Sequence, residues 1–239
     1  MELPRQLRLR QRVTKGAGSR AAGAAKACPE SAYRRLWLRC DTGVVKIDWT
    51  YQLTEQLDWH WRSQLRRRYE GLTDAEYFWE AVANCWNVHP RGQGRAPIEA
   101  GGGEFVMDFA YPEPSPAPVT TIAWRLAHLI VGVFGTRVAS HFGGPPVDYQ
   151  TFDYARTAAQ ALQQLDDAYA GWVAGVKSLD HAALARPCGD AEGLFADYPM
   201  AELVLHINRE AIHHGAEIAL LRDLYANRST VTPNTANSL

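Results

Sequence analysis

Cysteine is scarce in this chain of 239 residues: Cys28, Cys40, Cys85 and Cys188 stand far apart, without the close pairs that ligate metal. Their scatter argues against a disulfide framework and against a thiolate zinc site, so free thiols are expected. Long apolar runs are also missing. Nothing approaches the ~18 uninterrupted apolar residues of a membrane span, and the N-terminus lacks the apolar core of a secretory signal. A cytoplasmic protein with no membrane partner is therefore expected. Period-two alternation is rare, which speaks against a β architecture. Net charge is small as well, −1 overall, with 46% hydrophobic and 21% charged residues, the balance of an ordinary globular protein.

That small net charge conceals an asymmetry. Residues 1–46 carry eleven Lys or Arg against Glu2, Glu30 and Asp41, a net of +8 that leaves −9 for the remainder. The leading segment is rich in Arg, Ala and Gly without apolar periodicity, and reads as a disordered basic extension. Basic runs without interleaved aromatics are usually solvated, so no nucleic-acid partner is expected. The globular part is then 47–228, followed by a flexible polar tail, 229–239.

Within 47–228 the pattern predicts four long helices. The first spans roughly 48–69, with the stripe Trp49, Leu53, Leu57, Trp61 and Leu65 and a basic C-terminal run, Arg66 to Arg68. Loops are expected over 91–103 and 111–118, where Gly and Pro concentrate. A second helix, capped by Thr120 or Thr121, runs to about 141 and stops at Gly143-Gly-Pro-Pro. The third covers roughly 153–179 with apolar residues near a 3.6 spacing, and the fourth starts at Asp197 or Pro199 and reaches about Arg228. An all-α four-helix bundle with long inter-helix loops is the simplest architecture that buries them.

Chemistry concentrates on the fourth helix. His206, Glu210, His213, His214 and Glu217 fall within about 100° of its circumference, while apolar residues occupy nearly every other direction. Buried imidazoles and carboxylates are costly unless paired, hydrogen-bonded or bound to metal. Glu210 and His214, spaced i and i+4, can ligate one ion from one face. The competing reading is a hydrogen-bonded polar layer that fixes helix register. A third ligand must come from another helix, and His128, alone in the apolar run Thr121 to Phe134, is the best candidate. His60 lies in Leu57-Asp-Trp-His-Trp on the first helix and is read as a fourth ligand, a general base or a core residue. Trp61 and Trp124 are candidates to line a ligand pocket, although aromatics at helical spacing are more often core.

Trp124-Arg-Leu-Ala-His128 and His206-Ile-Asn-Arg-Glu210-Ala-Ile-His213-His214-Gly-Ala-Glu217 resemble the corresponding motifs of the DinB-like superfamily of four-helix bundles. That superfamily includes mycothiol-dependent maleylpyruvate isomerases and bacillithiol transferases. The resemblance covers roughly Ile47 to Arg228. Many members carry a histidine where this chain has Glu210, whereas the isomerase branch pairs a second-helix histidine with Glu-x-x-x-His on the last. The resemblance thus implies His128, Glu210 and His214 as ligands of a divalent metal, zinc by analogy. Ligand type alone also permits a non-haem iron triad. It further implies a thiol S-transferase or isomerase that activates a low-molecular-weight thiol such as mycothiol against an electrophile. His60 or His213 would move a proton, and His206, Asn208 or Glu217 would orient a ligand imidazole from behind. A metal-assisted hydrolase and a non-catalytic stress-related bundle are the alternatives. A homodimer is compatible with either.

Overall fold

The computed structural model describes residues 46–228. The basic extension with Cys28 and Cys40, and the polar tail, lie outside the described residues. Ile47 opens the unit to which every element below belongs. Cys85 and Cys188 are free thiols.

Helix α1 (Trp49–His60) starts where the Asp48 carboxylate accepts the Tyr51 N–H, and the chain stays helical through a π turn, Trp61–Leu65, and a 3-10 turn, Arg66–Tyr69. Leu53, Leu57, Trp61 and Leu65 of the expected stripe are buried, whereas Trp49 is exposed. A short helix α2 (Asp74–Tyr77) follows.

The second long helix is capped by Thr121, whose hydroxyl accepts the Trp124 N–H at 3.2 Å. It runs as α3 (Ile122–His128), a π-helical segment Leu129–Gly135 buried at every residue, and α4 (Thr136–Phe142). Gly143 then ends it in the left-handed region, as a residue without Cβ can. Taken together, Ile122–Phe142 has the length and apolar character of a membrane span. Its buried side chains sit in the same core as those of the other long helices, which is the behaviour of a central core helix.

Helix α5 (Ala158–Lys177) begins five residues later than the expected start near 153, with Thr157 as its N-cap. Thr157 sits in an extended conformation and caps the Gln160 N–H, while Asp74 accepts the Ala158 N–H at 2.7 Å. After α6 (His181–Ala185) and a 3-10 stretch, Asp190–Phe195, comes α7 (Met200–Asn227), the last helix among the described residues. α1 packs on α5 and α7, and α3 with its π-helical continuation packs on the same two helices. Trp172, Tyr69, Tyr77, Phe134, Leu57 and Leu126 are among the side chains fully enclosed between them.

The protein is mostly helical, but the all-α expectation needs correction. Three strands, β1 (Val88–Pro90), β2 (Ile98–Ala100) and β3 (Phe105–Phe109), form an antiparallel sheet in the order β1-β3-β2. Only β2 falls inside the 91–103 stretch expected as a Gly/Pro loop, with β1 and β3 on either side of it. Strands of three to five residues are too short for alternation to register, and this sheet is organised by side chains reaching backbone. The buried Asp108 carboxylate accepts the N–H groups of Asn87, Arg95 and Ala96 at 3.0–3.2 Å and pairs with His89 Nε2 at 3.0 Å. Glu99 accepts those of Gly92 and Gly94. Asp108→Ala takes the acceptor from these part-buried donors, and is expected to cost about 1–2 kcal/mol. Amide exchange should accelerate at Asn87, Arg95 and Ala96 while far-UV circular dichroism, dominated by the helices, stays unchanged.

Candidate metal centre

α3 and α7 pack so that Arg125 and His128 of one meet His214 and Glu217 of the other. The fourth turn of α7 is held in azimuth from behind. Asn208 donates to the Leu53 carbonyl at 2.8 Å, and the Tyr69 hydroxyl donates to the Gly215 carbonyl at 3.3 Å. Exposure along the polar stripe is graded: 11% for the His214 side chain, 28% for Glu210, 32% for Glu217, 41% for His206 and 62% for His213. Only His214 is well enclosed. α7 is not apolar all round in its setting either, since Leu205, Leu220 and Leu224 face solvent. The stripe lies at the border of the buried face instead of at its centre.

His128 and His214 meet edge to face with ring centroids 4.8 Å apart. The His128 ring also lies over Trp124, at 5.6 Å and 21°, and its Nδ1 is 2.7 Å from the Tyr149 hydroxyl. Burial, reinforced by the neighbouring His214, Arg125 and Arg137, pushes the His128 pKa down to about 3, so the ring is neutral at pH 7.

The tautomer of His214 follows from its neighbours. Nδ1 lies 2.7 Å from Glu217 Oε2 and 3.2 Å from Arg125 Nη1. A carboxylate only accepts and a guanidinium only donates, so the shorter contact puts the proton on Nδ1. Arg125 Nη1 then serves Glu217 directly, at 2.9 Å. Burial lowers the Arg125 pKa and Glu217 opposes the shift, and its Nε is buried without a hydrogen-bond partner among the described residues. On the other edge of the ring the Nε2 lone pair faces Glu210 Oε2 at 3.4 Å. Two acceptors confront each other there, and a divalent cation is a partner that satisfies both. Among the described residues the positive side chain nearest Glu210 is Arg209, with Nε at 3.9 Å.

The three candidate ligands that the structure brings together among the described residues are a different set, which shares His214 with that pair. The ligating atoms of His213, His214 and Glu217 all lie within 4.8 Å of one another, a His/Glu cluster with room for a metal ion. His213 Nε2 is 3.5 Å from Glu217 Oε1.

Other expected site residues are placed differently. Trp61 is buried, stacked on Tyr169 at 3.9 Å and edge-on to Phe134. Trp124 stays with the site, its indole N–H donating to the Asp108 carbonyl at 2.8 Å. Asn208 turns its amide toward α1, and His60 ends α1 half-buried. His206 pairs with Arg209 at 2.8 Å on the exposed side. Two participants had gone unnoticed as site residues. Arg125 left a trace, a guanidinium inside an apolar run, whereas Tyr149 sits in the loop after α4 and has no periodic signal.

A family model described as the DinB superfamily matches residues 56–218, a span that takes in His60, His128, Tyr149, Glu210, His214 and Glu217. No curated protein and no solved structure matches the chain.

Proposed function

Because the chain belongs to the DinB superfamily, we propose that its four long helices are the superfamily's four-helix bundle and that it is a metal-dependent enzyme, a thiol S-transferase or isomerase. His128, Glu210 and His214 would hold a divalent cation, zinc by preference. The observation that carries this reading is the confrontation of the His214 Nε2 lone pair with the Glu210 carboxylate at 3.4 Å, with the His128 ring edge-on beside it. The competing group around Glu217 is less suited to a cation, because Arg125 already supplies positive charge there at 2.9 Å.

A cation held by His128, Glu210 and His214 would supply the acidity that keeps a small thiol such as mycothiol as its thiolate near neutral pH. The chain's own groups do the rest. Glu217 keeps the proton on His214 Nδ1 and so presents Nε2. Trp124 packs against His128 and would offer the electrophile an apolar surface beside the site. His213, exposed at the rim beside Glu217, takes the thiol proton at its ring nitrogen and passes it to solvent.

The test is metal content by mass spectrometry of tag-free protein. About one metal per chain is expected for wild type under the one-site reading, and close to none for His128→Ala and Glu210→Ala. His213→Ala should keep its metal. Loss in His213→Ala with retention in His128→Ala would move the site to the Glu217 cluster. Calorimetry of the loaded protein with mycothiol, bacillithiol and glutathione then identifies the thiol, and absence of saturable binding by all three would remove the transferase assignment.

A further inference from the structure

Tyr149 reaches His128 from a loop that is fixed for the purpose on three sides. The Asp148 carboxylate accepts the Gln150 and Thr151 N–H groups at 2.8 and 2.9 Å and the Thr151 hydroxyl at 2.7 Å, which pins the turn. The Tyr154 hydroxyl donates to the Tyr149 carbonyl at 3.0 Å, and Phe109, at the end of β3, stacks against the Tyr149 ring at 6.1 Å and 26°. The ring is thus held parallel to His128, within 10°, with its hydroxyl 2.7 Å from Nδ1.

Space for that hydroxyl is made by the helix itself. A Cβ on Gly132 would stand 1.8 Å from the Tyr149 oxygen, 2.8 Å from its Cζ and 3.0 Å from His128 Nδ1. Any other residue would drive the phenol away. Gly132 belongs to the π-helical segment, where the regular ladder of carbonyl acceptors is broken. Its carbonyl is taken up by the Thr136 hydroxyl at 3.2 Å and by the Arg137 guanidinium, which is anchored in turn on Glu192 at 3.1 Å. A glycine, a widened helical turn and a half-buried arginine therefore converge on one cradle, and the cradle holds one hydroxyl.

A neutral imidazole carries one proton, and the partner of one nitrogen decides what the other can do. Ligation through Nε2 needs the proton on Nδ1 and an acceptor for it. The Tyr149 oxygen is the acceptor in reach, as Glu217 is for His214. We propose that Tyr149 is the positioning residue of His128: its hydroxyl accepts the Nδ1 proton, fixes the ring plane and turns Nε2 to the cation, and Gly132 exists to admit it. This rests on the metal-site reading above.

Zinc affinity is to be measured by chelator competition for wild type, Tyr149→Phe, Gly132→Ala and His128→Ala, alongside side-chain nitrogen NMR of the metal-free proteins. Tyr149→Phe keeps the stacked ring and should fold. Its zinc affinity should fall about tenfold to a hundredfold with unchanged stoichiometry, Gly132→Ala should lose a similar factor, and His128→Ala should lose more. In the metal-free protein the wild-type His128 should show a single tautomer that becomes a mixture in Tyr149→Phe. Wild-type zinc affinity in Tyr149→Phe, with a loss in His128→Ala, would overturn the positioning role and leave the metal site standing. Undiminished affinity in His128→Ala would instead defeat the metal-site reading. Tyr149 is then decided by NMR, where a single wild-type tautomer lost in Tyr149→Phe upholds its hold on the ring and unaltered signals overturn it.

Discussion

Arg222→Met should be among the most destabilising single substitutions in the described chain, lowering stability by about 3–5 kcal/mol, the range for breaking a buried ion pair. Arg222 lies in the last turns of α7 and forks onto Glu76, with Nε to Oε1 at 2.6 Å and Nη2 to Oε2 at 3.2 Å. Both side chains are largely buried. The same guanidinium donates to the Glu70 carbonyl at 2.9 Å and to that of Arg68, so it also closes the C-terminal end of the first long helix. Truncation strands a carboxylate in a desolvated site and releases two carbonyls. For a domain of this size the loss corresponds to about 10 °C in melting temperature. The double variant Glu76→Met, Arg222→Met should recover most of it, because an apolar pair of similar volume removes the desolvation penalty along with the attraction. Thermal melts of the two single variants and the double check this. A double variant no more stable than the worse single variant would show that packing, and not the uncompensated charge, sets the cost.

That staple also bears on the candidate metal centre. α7 is tied to α1 and its continuation by Asn208, Tyr69 and Arg222, and by the Gly215 backbone lying so close to Leu65 that a Cβ there would come within 2.3 Å of it. Together these contacts fix the rotation of α7 about its axis. With the azimuth set, His214 faces α3 while His213, one residue earlier, faces solvent.

The sequence showed the helices because their apolar positions recur near a 3.6 spacing, and Thr121 and Gly143 mark the two ends of the second one; Thr157, which caps α5, stood unread four residues past the expected start. His128 was visible as a lone polar group in an apolar run, and the i, i+4 pair Glu210 and His214 as a shared face. The sheet was hidden because its strands are short and their order depends on Asp108, a contact across 21 residues to Asn87. Likewise Tyr149 meets His128 across 21 residues, and nothing in the spacing of a loop tyrosine records such an approach. The angular argument for α7 was right about the shared arc but could not weigh it. A wheel gives direction from the axis, whereas exposure depends on where neighbouring helices end, and that separates the enclosed His214 from the open His213. Trp61 illustrates the same limit, since only the position of Tyr169 and Phe134 shows that its ring is spent on the core.

Acidification of the metal-free protein should reveal His128 as a stability sensor. In the folded state its pKa is pushed down to about 3 from an ordinary 6.5, chiefly by burial. In the unfolded chain the imidazole takes its proton near 6.5, so below that pH the unfolded state binds more protons and gains free energy that the folded state does not. The contribution is therefore fully present above pH 6.5, erodes as the pH falls, and is exhausted once the folded ring protonates near 3. The limiting slope is about 1.4 kcal/mol per pH unit for one proton. Across the window that approaches 4 kcal/mol, a large share of the total for a domain of this kind. His128→Gln keeps a polar side chain facing Tyr149 but does not titrate. Urea unfolding of both proteins in the presence of a chelator, from pH 7.5 down to 4, isolates the effect, because carboxylates common to the two cancel in the difference. The wild type should lose stability relative to His128→Gln by roughly 1 kcal/mol or more per unit below pH 6, while the difference stays constant above 7. Parallel pH profiles would mean that the imidazole protonates as readily in the folded protein as in the unfolded chain. The enclosure of the ring by Trp124, Tyr149 and His214, on which its availability as a neutral ligand depends, would then be looser than the packing implies.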